Sequence, residues 1–362
     1  MKEQPIWRQP AFLLLLAITL LLVSCESRPT PTTVVPPSSE ELIFYDWPDD
    51  VDPQVLEAFT AETGIRVRYE VYGSVDDAVQ DLRNGEHYDV VILTNEWVAK
   101  MVAEGRLAEI DYANVPNFRY ISANFRDLAY DPQNRHAIPW NWGTTTMAYR
   151  SDLITTTLTS WADLWTADYQ GPIAATPAMR DVIGVVLKGL GYSCNSEDPA
   201  ELAAAREILL QLRPRMILLT ADEATTAPYL INGRAPVAIV QPRDVLEAQA
   251  ESASIVHLYP REGSVLWGDN FVIPTQSHDK AGAERLINFL LRPENAAQLV
   301  SYNLYPTPND GAIEYIAPEL ANNQVIFPPQ ERLSNAEVLL PVSPEANEIY
   351  MEIWEAFMAA DN

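Results

Sequence analysis

Apolar and polar positions follow two periods along this chain, and the periods alternate in a regular order. Leu42 to Trp47 (LIFYDW) is a short apolar run that predicts a buried strand. Asp52-Pro53 then carries the signature of a helix start, a capping carboxylate ahead of a proline, and Val55, Ala58 and Phe59 supply the apolar stripe. Gly64 marks the end of that helix. Ile65, Val67, Tyr69 and Val71 alternate with Arg66, Arg68 and Glu70, the period of two expected of a half-buried strand. Ser74 with Asp77 predicts a capped second helix, Gly85 its end, and YDVVIL a strand buried on both faces. This βαβαβ order implies a parallel sheet covered by helices.

The rhythm returns further on. Thr144 to Tyr149 and GPIAAT read as strands ahead of a helix from about Arg180 to Leu190. A helix from Ala200 to Leu212 leads to PVAIV (Pro236 to Val240), then Ile255 to Leu258, then VLWGDNFVIP from Val265. The last third is mostly helical, with Ala281–Leu291, Pro293–Asn303 and Ala346–Met358. Two α/β lobes joined by extended crossings follow from this order. Ligands in such sheets bind at the carboxyl ends of strands, here facing a cleft between lobes.

Two regions change that picture. Lys2 and Arg8 precede an apolar run from Ala11 to Val23 that is too short to span a bilayer, which predicts a secretory signal over residues 1–24. Its last residues, Leu22-Val23-Ser24-Cys25, resemble a lipobox, in which Cys25 becomes the lipidated first residue of the mature chain. The only other cysteine is Cys194, so acylation of Cys25 leaves no pair for a disulfide. Residues 25–41 are rich in Pro, Ser and Thr and predict a disordered tether. The expected result is a globular body held outside the cytoplasmic membrane. The chain has 362 residues and a net charge of −26, which argues against nucleic acid or an anionic membrane surface as partner and fits a cationic ligand.

Candidate chemistry sits at the strand ends. Val265, Trp267, Asp269 and Phe271 share one strand face, and a carboxylate between an indole and a phenyl ring must reach water or meet a cation. The first strand ends at Trp47-Pro48-Asp49, the YDVVIL strand at Asn95-Glu96-Trp97, GPIAAT at Arg180-Asp181 and PVAIV at Gln241-Pro242-Arg243-Asp244. Asp181 and Asp244 also suit helix starts, where an acid favours the dipole. Together, Asp49, Glu96, Asp181, Asp244 and Asp269 with Trp47, Trp97 and Trp267 suit an organic cation, because clustered carboxylates repel until a cation joins them and aromatic faces attract it. The four histidines lack metal-ligand spacing, and no catalytic motif of hydrolases, metalloproteases or phosphate-binding loops is present. No cofactor, no metal and no enzymatic activity are expected.

The segments RLINFLLRPENAAQLVSYNLYPTPN (Arg285 to Asn309), TSWADLW (Thr159 to Trp165) and FTAETGIRVRYEVY (Phe59 to Tyr72) resemble the spermidine/putrescine-binding receptors of polyamine ABC transporters. So does the spacing of Trp267-Gly268-Asp269 ahead of Tyr305-Pro306-Thr307-Pro308-Asn309, and the likeness runs from about Leu42 to about Phe357. It implies a periplasmic-binding-protein fold of two lobes, 42–144 with 268–313 and 149–262 with 316–362, each a mostly parallel sheet flanked by helices. It implies crossings near Thr144 to Arg150 and Glu262 to Gly268, with a third passage near Ala312 to Ile316. It also implies a monomer that binds putrescine or spermidine and passes it to permease subunits. By the same resemblance Trp47, Trp267 and Tyr305 wall the methylene chain and Asp181 and Asp269 bind ammonium groups. Asp49 and Asp244 match putrescine-selective members. Departures are Ala178 in place of a second acid, Glu96 in place of a tyrosine, Gln241 in place of a tryptophan, and an apolar stretch at Leu339-Leu340 in place of a late glutamine. This altered shell leaves open a different organic cation, or a sensory lipoprotein not coupled to transport.

Overall fold

A computed structural model describes residues 40–166, 169–220 and 223–360. The expected signal peptide, Cys25 and the tether up to residue 39 lie outside the described residues. Glu41, expected as the last tether residue, instead opens the first strand, because its backbone pairs with Arg66.

The first half alternates β1 (Glu41–Asp46), α1 (Pro53–Thr63), β2 (Arg66–Val71), α2 (Val75–Asn84), β3 (Val90–Thr94) and α3 (Asn95–Ala103). Asp52 caps α1 by accepting from Gln54 N, and Ser74 caps α2 by accepting from Asp77 N. A cap of this kind contributes about 1 kcal/mol. Gly64 and Gly85 close both helices in the left-handed region that only glycine adopts without strain. The chain continues through β4 (Ala137–Arg150), β5 (Ile173–Ala175), α4 (Met179–Gly189), α5 (Pro199–Leu212), β6 (Met216–Leu218), α6 (Ala227–Asn232), β7 (Val237–Val240), α7 (Pro242–Glu251) and β8 (Ile255–Leu258). It ends with β9 (Val265–Val272), α8 (Lys280–Leu290), α9 (Pro293–Asn303), α10 (Pro318–Ala321), β10 (Glu337–Val338) and α11 (Pro344–Ala359).

The two expected sheets are present and are joined through β4, whose first part (137–145) pairs with β9 and whose last part (146–150) pairs with β7 and β8. The joined order is β2-β1-β3-β9-β4-β7-β5-β6, with β8 added on β4 and β10 on β9. Parallel pairs at both ends (β2–β1–β3 and β7–β5–β6) flank antiparallel pairs of β9 and β4 in the middle. β4 is also longer than the run from Thr144 to Tyr149. Pro139 and Gly143 conceal its first half in the sequence, and the ladder with β9 slips between Pro139 and Trp142 to accommodate them.

Side chains on successive strand residues enter different cores. Leu42 and Phe44 pack with Phe59, Ile92, Phe271 and Leu286, whereas Tyr45 packs with Val91, Leu93, Trp97 and Met101 on the other face. The second half repeats this. Met147, Ile173 and Ile239 join Trp161, Leu187 and Tyr350, while Ala148, Ala174 and Ala238 join Leu230 and Val245. Each fully buried Phe or Ile contributes roughly 1.5–3 kcal/mol, and these layers hold the strand ends in place. β4 and β9 serve both halves: Trp140 and Phe271 belong to the first core, Met147 and Trp267 to the second.

A cleft of acids and aromatics at the strand ends

The carboxyl ends of β1, β3, β5 and β7 and the middle of β9 open on one cleft of about 330 Å³. Trp47, Glu96, Trp97, Asp181, Asp244, Trp267, Asp269 and Tyr305 all line it. Asp49 does not. It is exposed, with φ at +56°, and its carbonyl accepts from Arg243 Nη1 at 3.5 Å, so the turn after Pro48 carries its side chain outward. The neighbouring Asp50 faces inward and lines the cleft. Its two oxygens accept from Trp140 Nε1 at 2.8 Å, Asn141 Nδ2 at 3.0 and 3.1 Å and Asn303 Nδ2 at 3.0 Å. Sequence offered the dipeptide Asp49-Asp50 and no means of choosing between its members; the positive φ decides it.

Asp269 keeps an unsatisfied oxygen. It is 6% exposed, and its Oδ1 has no hydrogen-bond partner among the described residues. Burial pushes its carboxyl well above the ordinary range, and the charges of Asp50, Glu96 and Asp181 push it further, with Trp47 offsetting part of the rise. Asp46, buried at the end of β1, is raised well above its ordinary value by burial and by Asp50, against hydrogen bonds from Trp47 N and the Tyr69 hydroxyl. Asp181 stands in the first turn of α4. Burial raises it to about 6; a hydrogen bond from the Thr145 hydroxyl to one oxygen opposes this, and Glu96 adds to it. Glu96 opens α3 and is buried at 7% exposure.

Asp244 is different in kind. Its oxygens accept from Thr226 N at 2.5 Å, Thr226 Oγ1 at 2.9 Å and Gln241 N at 2.6 Å, the last closing the cap of α7. Burial raises it to about 6, against those backbone bonds. It lines the cleft while also serving the helix start that its position suggested.

The aromatics form a wall. Trp267 meets Tyr305 edge to face at 5.1 Å, and Trp47 meets Tyr72 at 4.7 Å. The Trp267 indole fits because residue 143 is glycine: a Cβ there would stand 2.3 Å from its Cζ2. Trp97 is set apart, since Lys100 lies 4.4 Å and Arg83 5.3 Å from its ring centre, so protein cations already cover it. Of the departures, Ala178 and Gln241 line the cleft, whereas Leu339 is buried in the second core and Leu340 is partly exposed. Asp50 is a cleft residue that sequence reasoning did not single out; Thr145, which donates to Asp181, and Asp46, buried at the end of β1, stand behind the lining, and Asp46 was visible only as the acid ending an apolar run.

This arrangement suits a cation with an apolar body: unsatisfied carboxylates supply charge and acceptors, and indole and phenol faces pack on methylenes. Among the described residues no group of three or more His, Cys, Asp or Glu is placed to hold a metal ion. Nor is any of their helices long and apolar enough to cross a membrane.

Comparison with known proteins agrees with this geometry. The chain is 35% identical over 324 residues to the spermidine/putrescine-binding periplasmic protein of Salmonella typhimurium, covering 89% of this chain and 92% of that one. It is 28% identical over 331 residues to a putrescine/agmatine-binding protein of Pseudomonas aeruginosa, covering 86% and 90%. A solved structure described as a putative spermidine/putrescine ABC transporter from Listeria monocytogenes superposes with a TM-score of 0.83 at 29% identity, covering 89% of this chain and all of that one. Residues 54–328 match the family described as bacterial extracellular solute-binding protein, and the chain belongs to that family.

Proposed function

We propose that this protein is an extracytoplasmic receptor for a linear polyamine, putrescine or spermidine, which it delivers to the permease of an ABC transporter. The single observation that carries the reading is the Asp269 carboxylate, buried beside Trp267 with one oxygen unpartnered. Leaving a buried acceptor unsatisfied costs about 1–3 kcal/mol, and an ammonium group relieves that cost while neutralising the repulsion from Glu96 and Asp181. Trp47, Trp267 and Tyr305 pack on the alkylene chain, and Glu96, Asp181 and Asp269 bind nitrogen. The names of the relatives support the same ligand class.

Lobes of residues 42–144 with 268–313 and 149–262 with 316–362 close on the ligand by bending in β4 and β9, and the receptor acts as a monomer. Lipid on Cys25 anchors it to the membrane; metabolic labelling with a fatty acid, lost in Cys25→Ser, tests that anchor. Calorimetric titration with putrescine, spermidine, spermine and agmatine tests the function. Saturable binding of at least one of them is expected, and no heat from any of the four overturns the reading.

A further inference from the structure

The acids around the cleft divide into two groups. On one side, Asp50, Glu96 and Asp181 act on Asp269; Asp50 is filled by Trp140, Asn141 and Asn303, while Asp269 and Asp181 keep acceptor capacity for a ligand. Asp269 Oδ1 has no partner among the described residues, Asp181 gives one oxygen to Thr145, and Glu96 is buried on the cleft wall. On the other side stand Asp244, Gln241 and Arg243, and Tyr305 links the two, with its ring edge to face on Trp267 at 5.1 Å and its hydroxyl on Gln241 Oε1 at 3.1 Å.

The second side is saturated. Asp244 already accepts three hydrogen bonds from Thr226 and Gln241. Glu223, also on the cleft wall, accepts from Thr220 N at 2.8 Å, Thr220 Oγ1 at 2.9 Å and the Tyr229 hydroxyl at 2.7 Å. What that side offers instead is donors. Arg243 lines it, with Nε on Glu247 at 2.8 Å. Gln241, on the cleft wall, turns its Oε1 to the Tyr305 hydroxyl, which donates at 3.1 Å. With the amide oxygen so engaged, the NH₂ group is the part of this side chain that remains to meet a ligand.

An ammonium group brings donors and no acceptor, so it has little to gain beside Gln241 and Arg243. A carbonyl oxygen accepts from both. Resting on the polyamine reading above, we propose that this cleft reads positive charge at one end of its ligand only, and takes polyamines acylated on the opposite terminal nitrogen. The free ammonium lies among Glu96, Asp181 and Asp269, the methylenes run between Trp267, Tyr305 and Trp47, and the acyl carbonyl accepts from Gln241.

Calorimetry of the full chain with putrescine against N-acetylputrescine, and spermidine against its two mono-acetylated terminal isomers, tests this. At least one acetylated compound is expected to bind within about tenfold of its parent amine, a difference of no more than ~1.4 kcal/mol. Gln241→Glu exchanges the donor for an acceptor at equal size, and should lower the affinity of the acetylated compound relative to its parent amine more than tenfold. Loss of more than tenfold on acetylation of every compound, or an unchanged preference in Gln241→Glu, overturns the inference and leaves the polyamine reading intact. Absence of binding by parent and acetylated amines alike overturns both.

Discussion

The indole of Trp267 lies across residue 143 so closely that a Cβ on Gly143 would sit 2.3 Å from its Cζ2. Glycine on the central strand β4 therefore shapes the wall of a cleft whose acids come from other elements. Gly143→Ala should push the indole toward the cleft and shift the β4–β9 ladder. We expect a loss of about 1–3 kcal/mol in urea unfolding, the range for overpacking, and weaker polyamine binding. A variant as stable as the parent with unchanged affinity would show that the indole moves freely.

Asp269→Asn keeps the shape and removes the charge. It should cost about 2–5 kcal/mol of polyamine binding, as truncating one partner of a buried charge pair does. The unliganded protein should gain thermal stability, because Asp50, Glu96 and Asp181 no longer repel an ion there. Melting curves with and without putrescine or spermidine read both effects. An equal ligand-induced rise in Tm in parent and variant refutes the role given to Asp269.

Affinity should fall with pH. Asp181 has its carboxyl raised to about 6 in the free protein, and an ammonium bound beside it draws that value down. Binding therefore releases a proton below about pH 6, and acidification to pH 5.5 should weaken binding about fourfold through this group alone. The same shift has a stability sign. Between about pH 4 and 6 the folded chain holds a proton that the unfolded chain has lost, so ionising Asp181 destabilises the fold as pH rises through that window. Asp181→Asn should exceed the parent in stability at pH 7.5 by on the order of 1–3 kcal/mol, and the difference should shrink toward pH 4. A difference independent of pH would place the effect outside this carboxyl.

Asp49 and Asp50 should respond in opposite ways. Asp49→Gly relieves a positive φ at an exposed residue and should leave binding within twofold and stability unchanged or higher by up to about 1 kcal/mol. Asp50→Ala strands Trp140 Nε1, Asn141 Nδ2 and Asn303 Nδ2 without an acceptor, and should cost about 2–5 kcal/mol of stability. Chemical denaturation of both variants checks the assignment, and equal losses would contradict it.

The sequence by itself determined the order of elements and the class of ligand chemistry. The apolar run at Leu42 to Trp47 and the caps at Asp52 and Ser74 are local signals, set within a few residues, and the structure reproduces them as β1, α1 and α2. That acids and indoles stand at strand ends was likewise legible, because a parallel sheet sends those ends to one edge. Tertiary structure alone decided the rest. The first half of β4 is held by its ladder with β9, more than a hundred residues away in sequence, which overrides Pro139 and Gly143. Asp49 and Asp50 are chemically identical, and only the turn after Pro48 sends one outward and the other onto Trp140, Asn141 and Asn303. Asp244 and Asp269 were both candidate ligand acids, yet Thr226 and Gln241 satisfy the first while one oxygen of the second has no partner among the described residues. A carboxylate's identity is written in the chain, but its unused hydrogen-bonding capacity depends on neighbours that only folding brings to it.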